Sequence, residues 1–164
     1  MVVMPDQDSP SRGNASTQPV RQYRLGRTRR VGNAFSRVFV RAGLLPHTYV
    51  LTTRGRKTGR ARSNPVTLVE HDGHRWLVAP YGAVSWVLNA RAAGRVRLAR
   101  RGTTREYAIH ELPPEQAGPV LKEYVHIAKV TRPYFRARPD APARDFAAEA
   151  GLHPVFELER LGVS

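Results

Sequence analysis

The sequence has no cysteine, very few acids in its first two thirds and no long apolar run. Without thiols there are no disulfides, no thiolate metal sites and no cysteine nucleophile, so any redox chemistry must come from a cofactor. No segment approaches the roughly 20 apolar residues that span a bilayer, and the N-terminus lacks the apolar stretch of a secretory signal. A cytoplasmic protein is therefore expected. Neither GxGxxG nor GxxxxGK[ST] occurs, which removes the two common nucleotide-binding fingerprints. HExxH and GxSxG are missing as well, so nothing asks for a metal centre or a serine hydrolase.

What is present is positive charge, unevenly spread. The formal net charge is +14, but residues 1–105 hold 20 Lys and Arg against 4 acids, whereas residues 106–164 hold 7 against 9. No acid lies between Ser9 and Val69, and none between Gly73 and Arg105. A field of that shape draws polyanions: nucleic acid, an anionic membrane surface, or a coenzyme bearing phosphate and carboxylates.

At 164 residues and 41% hydrophobic content the chain suits one domain with one core. Residues 1–30 mix Ser, Gly, Pro, Gln, Asn and Arg without apolar periodicity and read as a disordered segment; residues 31–164 read as a single domain. From Val31 to Leu45, the residues Val31, Phe35, Val38, Phe39 and Ala42 recur at helical spacing beside Arg37 and Arg41. Two readings stand for this basic amphipathic helix: packing on the domain, or peripheral contact with the inner face of a membrane.

The segments TYVLTT (48–53) and NPVTLVE (64–70) are rich in β-branched residues and predict strands, with RGRKTGRAR as the loop between them. His71-Asp72-Gly73 predicts a turn into a third strand, His74 to Ala79. After Pro80-Tyr81-Gly82, the spacing of Val84 to Ala93 predicts a short helix closed by Gly94. Arg95 to Arg100 and Thr103 to Leu112 predict a hairpin turning at Arg101-Gly102. Pro113-Pro114 opens a helix to about Lys129, and His153 to Leu161 suits a last strand. Hairpins without βαβ units give a mainly β (α+β) fold, a split antiparallel β-barrel of about six strands with flanking helices.

The most informative stretch is Thr52-Thr53-Arg54-Gly55-Arg56-Lys57-Thr58-Gly59-Arg60-Ala61-Arg62-Ser63-Asn64-Pro65. Glycines let backbone N–H groups approach a ligand, and arginines add forked donors, so such a loop can cradle phosphate. A merely solvated loop, or one touching nucleic acid nonspecifically, would look similar from charge alone. The loop has no aromatic residue of the kind that stacks on bases.

The order of motifs resembles the deazaflavin (coenzyme F-420)-dependent nitroreductase family of split β-barrel oxidoreductases. The resemblance rests on the TTxGRKTGxxRxNP-like loop, the strand ending Ala79-Pro80-Tyr81-Gly82, and a helix bearing Trp86, Asn89, Arg91 and Ala92. It continues through Gly94, a basic strand, and a terminal strand around His153-Pro154-Val155-Phe156, covering roughly residues 45–162. One departure is a segment between Pro80 and Trp86 that is shorter than in nitroreductase members, which bears on the substrate.

The resemblance implies coenzyme F-420, an 8-hydroxy-5-deazaflavin with a phosphodiester and an oligoglutamate tail, passing hydride to a quinone, a nitroaromatic or an activated enone. Flavin mononucleotide is the alternative cofactor, and a non-catalytic coenzyme-binding module the alternative role. By position in the loop, Arg56, Lys57 and Arg62 are expected on phosphate and tail, with Thr58, Gly59, Ser63 and Asn64 adding polar donors; Arg54 and Arg60 stand behind them. The ring is expected against Pro65, Val66 and Thr67 and against Ala79, Pro80, Tyr81 and Gly82, with Trp86, Asn89 and Arg91 closing the site. Each of the last three has a plainer reading: a core anchor, a tie to the adjacent loop, and a solvated charge. Tyr134, Tyr124 and Tyr81 are candidate proton donors, Tyr134 first, with His126 fourth; Tyr124 also fits a core position on its helix. Monomer and homodimer both remain open.

Overall fold

The structure, a computed structural model, describes residues 46–162. The expected disordered segment and the helix over 31–45 lie outside the described residues. Among the described residues six strands form: β1 (Thr48–Arg54), β2 (Ala61–His71), β3 (His74–Val78), β4 (Arg95–Arg100), β5 (Thr103–Glu111) and β6 (Val155–Arg160). They close into an antiparallel barrel in the order β1-β2-β3-β6-β5-β4. Helices α1 (Ser85–Ala93), α2 (Pro114–Ile127) and α3 (Ala143–Ala148) flank it.

Strand alternation sorts the apolar side chains into two layers. One parity fills the barrel: Leu51, Leu68, Leu77, Val96, Leu98, Phe156 and Leu158, closed at one end by Trp86, Val87 and Ala90 of α1. The other parity of β2, β3 and β6 presents Val69, Val78 and Val155 outward, where Leu121 and Val125 of α2, Phe146 of α3 and Phe135 cover them. Phe146 and Leu121 are fully buried there. On β5, Tyr107 and Ile109 share one parity and both belong to the barrel interior.

Element ends differ from the sequence reading where backbone pairing outruns side-chain pattern. β1 and β2 keep pairing to Arg54↔Ala61, so the expected loop of nine residues contracts to residues 55–60, and Arg62, Ser63 and Asn64 lie on a strand. β6 begins at Val155 rather than His153. The preceding Pro154 carries no N–H for the ladder, and its carbonyl instead accepts from Ala79 N at 2.9 Å. Residues 129–152 fold into a 3-10 turn (Lys129–Tyr134), α3 and a second 3-10 turn (Ala150–Leu152), none of which a hydrophobic period announces.

Candidate functional site

The β1–β2 loop is a tight, cation-bearing turn. Gly55 N donates to Arg60 O at 2.8 Å and Gly59 N to Gly55 O at 2.7 Å. A side chain at Gly55 would meet Thr58 Oγ1 at 2.9 Å and Arg60 O at 3.1 Å, and Gly59 has φ +66°, so both glycines are required by the turn itself. The loop is held from α1 by Asn89, which is 5% exposed. Its Oδ1 accepts from Arg56 N at 3.1 Å and from Arg56 Nη1 at 3.4 Å, and its Nδ2 lies 3.5 Å from the buried Thr53 Oγ1. Asn89 therefore acts as the tie between α1 and the loop.

Arg54, Arg56, Lys57, Arg60 and Arg62 are all exposed, and none has a carboxylate partner among the described residues. Beside the loop, between β1 and β4, opens a cleft of about 570 Å³ lined by Thr52, Arg54, Gly59, Arg95 and Arg97. Thr52 Oγ1 and Ser63 Oγ are 2.9 Å apart on the same outward face. Arg95 and Arg97 were not among the expected site residues. Their signal was the alternation of Arg95, Arg97 with Val96, Leu98, which on a strand puts both cations on one face.

Further along β2, Pro65 and Thr67 pair with Val50 and Thr48 on the outward face, while Val66 pairs with Tyr49 and packs against the barrel interior. By strand parity the Val66 side chain turns inward, so this stretch of β2 presents Pro65 and Thr67 on its outward face. Trp86 is likewise an interior residue, 9% exposed and edge-on to Phe156 at 6.2 Å. The Arg91 guanidinium holds Glu111 through Nε at 2.9 Å and Nη2 at 2.6 Å, at the surface.

The three tyrosines, far apart in sequence, do come together. Tyr81 and Tyr134 meet edge-to-face at 4.7 Å, both half-buried. Tyr124 is 3% exposed; burial pushes its phenol well above the ordinary range, the nearby Tyr81 adds to that, and Thr131 partly opposes it. A phenol so placed packs in the core and gives up its proton less readily than an exposed one. His126 is exposed, its Nε2 donating to Pro139 O at 3.0 Å, outside the tyrosine group.

Beneath that group lies a buried polar pair which sequence reasoning missed. His153 Nδ1 donates to Pro80 O at 2.9 Å, and its ring stacks on Phe135 at 4.0 Å. Its Nε2 is 3.5 Å from Glu149 Oε2, too long for a good hydrogen bond. Glu149, 5% exposed, accepts from Arg136 N and Ala137 N at 2.9 Å each. His153 and Glu149 thereby join the strand end bearing Tyr81 to the segment bearing Tyr134.

A closed antiparallel barrel with a glycine-bound cationic loop and an adjacent polar cleft defines a split-barrel binder of an anionic cofactor. The family model described as F420H(2)-dependent quinone reductase matches residues 23–140, and the chain belongs to that family of oxidoreductases, whose cofactor is coenzyme F-420. Among solved structures, an F420-H2 dependent reductase (FDR-A) is 22% identical, with 70% of this chain and 95% of that chain covered and a TM-score of 0.49. A structure described as a domain-swapped dimer is 22% identical, covering 82% and 100% at a TM-score of 0.51. A protein of unknown function from Agrobacterium tumefaciens str. C58 is 14% identical, covering 79% of this chain and 55% of that one at 0.54. The last two show the fold. No curated protein matches the chain in sequence.

The residues present fit the cofactor. Its tail is a run of anions, and the glycine turn with its flanking strand ends offers five cations without carboxylate partners among the described residues, next to a cleft that adds Arg97 and Arg95, the latter 3.9 Å from Glu106. Among the described residues no helix is long and apolar enough to cross a membrane.

Proposed function

We propose that the protein reduces a quinone-class acceptor, holding the coenzyme tail on the β1–β2 loop and taking the acceptor beside Tyr81 and Tyr134. Bound F-420 supplies hydride when reduced. Arg56, Lys57 and Arg62 would hold phosphate and tail carboxylates through charge-assisted bonds, supported by Thr58, Gly59, Ser63 and Asn64; Arg54, Arg95 and Arg97 extend the same field along the cleft. Pro65, Thr67 and the backbone from Ala79 to Gly82 would hold the ring.

An acceptor that gains hydride gains one negative charge, and a proton must reach its oxygen. Tyr134 is the proposed donor, with Tyr81 in edge contact orienting its ring. His153, by holding Pro80 O, keeps Tyr81 at that position. Nitroaromatic and enone acceptors are related alternatives. The similar structure described as a domain-swapped dimer supports a homodimer here, and the chemistry of a small anionic coenzyme suits the cytoplasm.

The observation that carries this reading is the set of loop cations without carboxylate partners. Absorbance titration with oxidised and reduced coenzyme tests it. Replacing Lys57 and Arg62 together by Ala is expected to weaken coenzyme binding by more than about tenfold, roughly 1.4 kcal/mol per decade. Flavin mononucleotide, with a single phosphate and no oligoglutamate, should bind more weakly and respond less. Unchanged coenzyme affinity in the double variant would remove the assigned tail site.

A further inference from the structure

The coenzyme cleft belongs to the barrel end where the β1–β2 loop and α1 lie. The opposite end is built from the first residues of β1 and β3 and from the β4–β5 turn, and it contains a second cavity of about 220 Å³. Its wall carries four arginines, Arg75, Arg100, Arg101 and Arg105, together with Tyr49 and Tyr107.

Four guanidinium groups gathered at one mouth repel one another unless something offsets their charge. The carboxylate near them is Glu70, and it is already engaged. It accepts from Tyr49 Oη at 2.8 Å and from Arg75 Nε at 2.9 Å. Arg75 Nη1 also donates to Tyr107 Oη at 3.0 Å, so this guanidinium is fixed in orientation. Arg100 lies over the Tyr49 ring, its Cζ 5.2 Å from the centroid, and its buried Nε has no hydrogen-bond partner among the described residues. Arg101 and Arg105 are exposed and form no ion pair among the described residues.

The turn adds an independent sign. Arg101 has φ 49° and Gly102 φ 74°, the two-residue hairpin geometry in which the first position favours Asn, Asp or Gly. An arginine there accepts backbone strain while placing a cation at the rim of the cavity. Among the described residues neither packing nor an ion pair calls for it.

We propose that this mouth is a second anion site, separate from the coenzyme cleft, taking a phosphate dianion carried by a small soluble molecule or by a lipid headgroup. Arg100 and Arg75 form the floor, preset by the two tyrosines, and Arg101 and Arg105 close on the anion from the rim. The cavity has room for a phosphate group together with part of the molecule that carries it, and forked guanidinium donors match the phosphate oxygens. The barrel stands between this site and the β1–β2 loop, so the inference does not rest on the coenzyme assignment.

The test uses the full chain without coenzyme. Calorimetric titration with inorganic phosphate and with glycerol 3-phosphate reads the soluble source; co-sedimentation with phosphatidic acid vesicles, against phosphatidylcholine vesicles, reads the headgroup. The double variant R101Q/R105Q changes exposed side chains, and an unchanged thermal melt verifies its fold. Saturable phosphate binding should weaken by at least about tenfold in R101Q/R105Q and persist in the Lys57→Ala/Arg62→Ala variant. Coenzyme affinity should be unchanged in R101Q/R105Q. Vesicle binding lost in R101Q/R105Q, without binding of the small phosphates, assigns the site to a headgroup. The proposal is overturned if neither probe binds, if binding survives R101Q/R105Q, or if it is lost in the loop variant instead.

Discussion

The β1–β2 loop and the segment from Lys129 to His153 use charge in opposite ways. In the loop and the strand ends beside it five cations stand exposed, with no carboxylate partner among the described residues, and the turn is held by backbone and by the neutral Asn89. In the C-terminal segment the better-buried charges are built into the structure: Glu149 gathers two backbone N–H groups and faces His153, and Arg132 Nε donates to Val125 O at 2.8 Å. A charge without an internal partner is available to a ligand, whereas a charge already paired is part of the scaffold. The two regions should therefore answer substitution differently, one in affinity and the other in stability.

The largest effect falls on the scaffold side. Glu149→Ala strips the Arg136 and Ala137 amides of their acceptor in a site where water is scarce, and should destabilise by about 3 kcal/mol. Urea unfolding measures it. A loss well under about 1 kcal/mol would mean that the segment is not held by this carboxylate and that the contrast is false. On the loop side, Asn89→Ala should raise the coenzyme dissociation constant by about tenfold, because the Arg56 amide loses its acceptor and the loop its anchor. If stability fell while affinity held, Asn89 would belong with the scaffold.

A smaller effect concerns pH. Burial pushes the His153 imidazole below its ordinary value of 6.5, with the charge of Arg136 in the same direction and Glu149 and the Pro80 carbonyl opposing. Folded His153 thus stays neutral where unfolded histidine already binds a proton. Its contribution is complete above pH 6.5 and is lost as the pH falls from there toward the lowered native value. Unfolding free energy should decline by at most about 1.4 kcal/mol per pH unit in that window, and His153→Gln should flatten the decline. An equal slope in the variant would place the titrating group elsewhere.

The barrel was legible because its strands alternate cleanly and its turns carry their own chemistry at Asp72-Gly73 and Arg101-Gly102. The cationic loop was legible as a motif, but its length was not, since pairing between Arg54 and Ala61 depends on the facing backbone rather than on residue type. The tyrosine group could be named but not assembled, because Tyr81, Tyr124 and Tyr134 meet only through the packing of α2 and the 3-10 turn on the barrel. His153 and Glu149 carried no local signal: a lone histidine before a proline and a glutamate between alanines reveal nothing of a buried pair. Strand parity, applied strictly, already sets Val66 inward and Arg95 with Arg97 outward.

Arg91 gives the sharpest test of the contrast, because motif position and geometry disagree about it. By position in the helix it belongs with the coenzyme site; in the structure Glu111 takes its guanidinium in a two-point contact at the surface. The side chains of that pair are 38% and 41% exposed, so water and salt screen the attraction and its net worth is below about 1 kcal/mol. Arg91→Ala should accordingly leave coenzyme affinity within about twofold and stability nearly unchanged, the smallest response of the series. A tenfold loss of affinity would show instead that Glu111 releases Arg91 when the anion arrives. In that case the partners seen in the structure would not separate ligand charges from scaffold charges on α1, and the distinction would hold only for the β1–β2 loop itself.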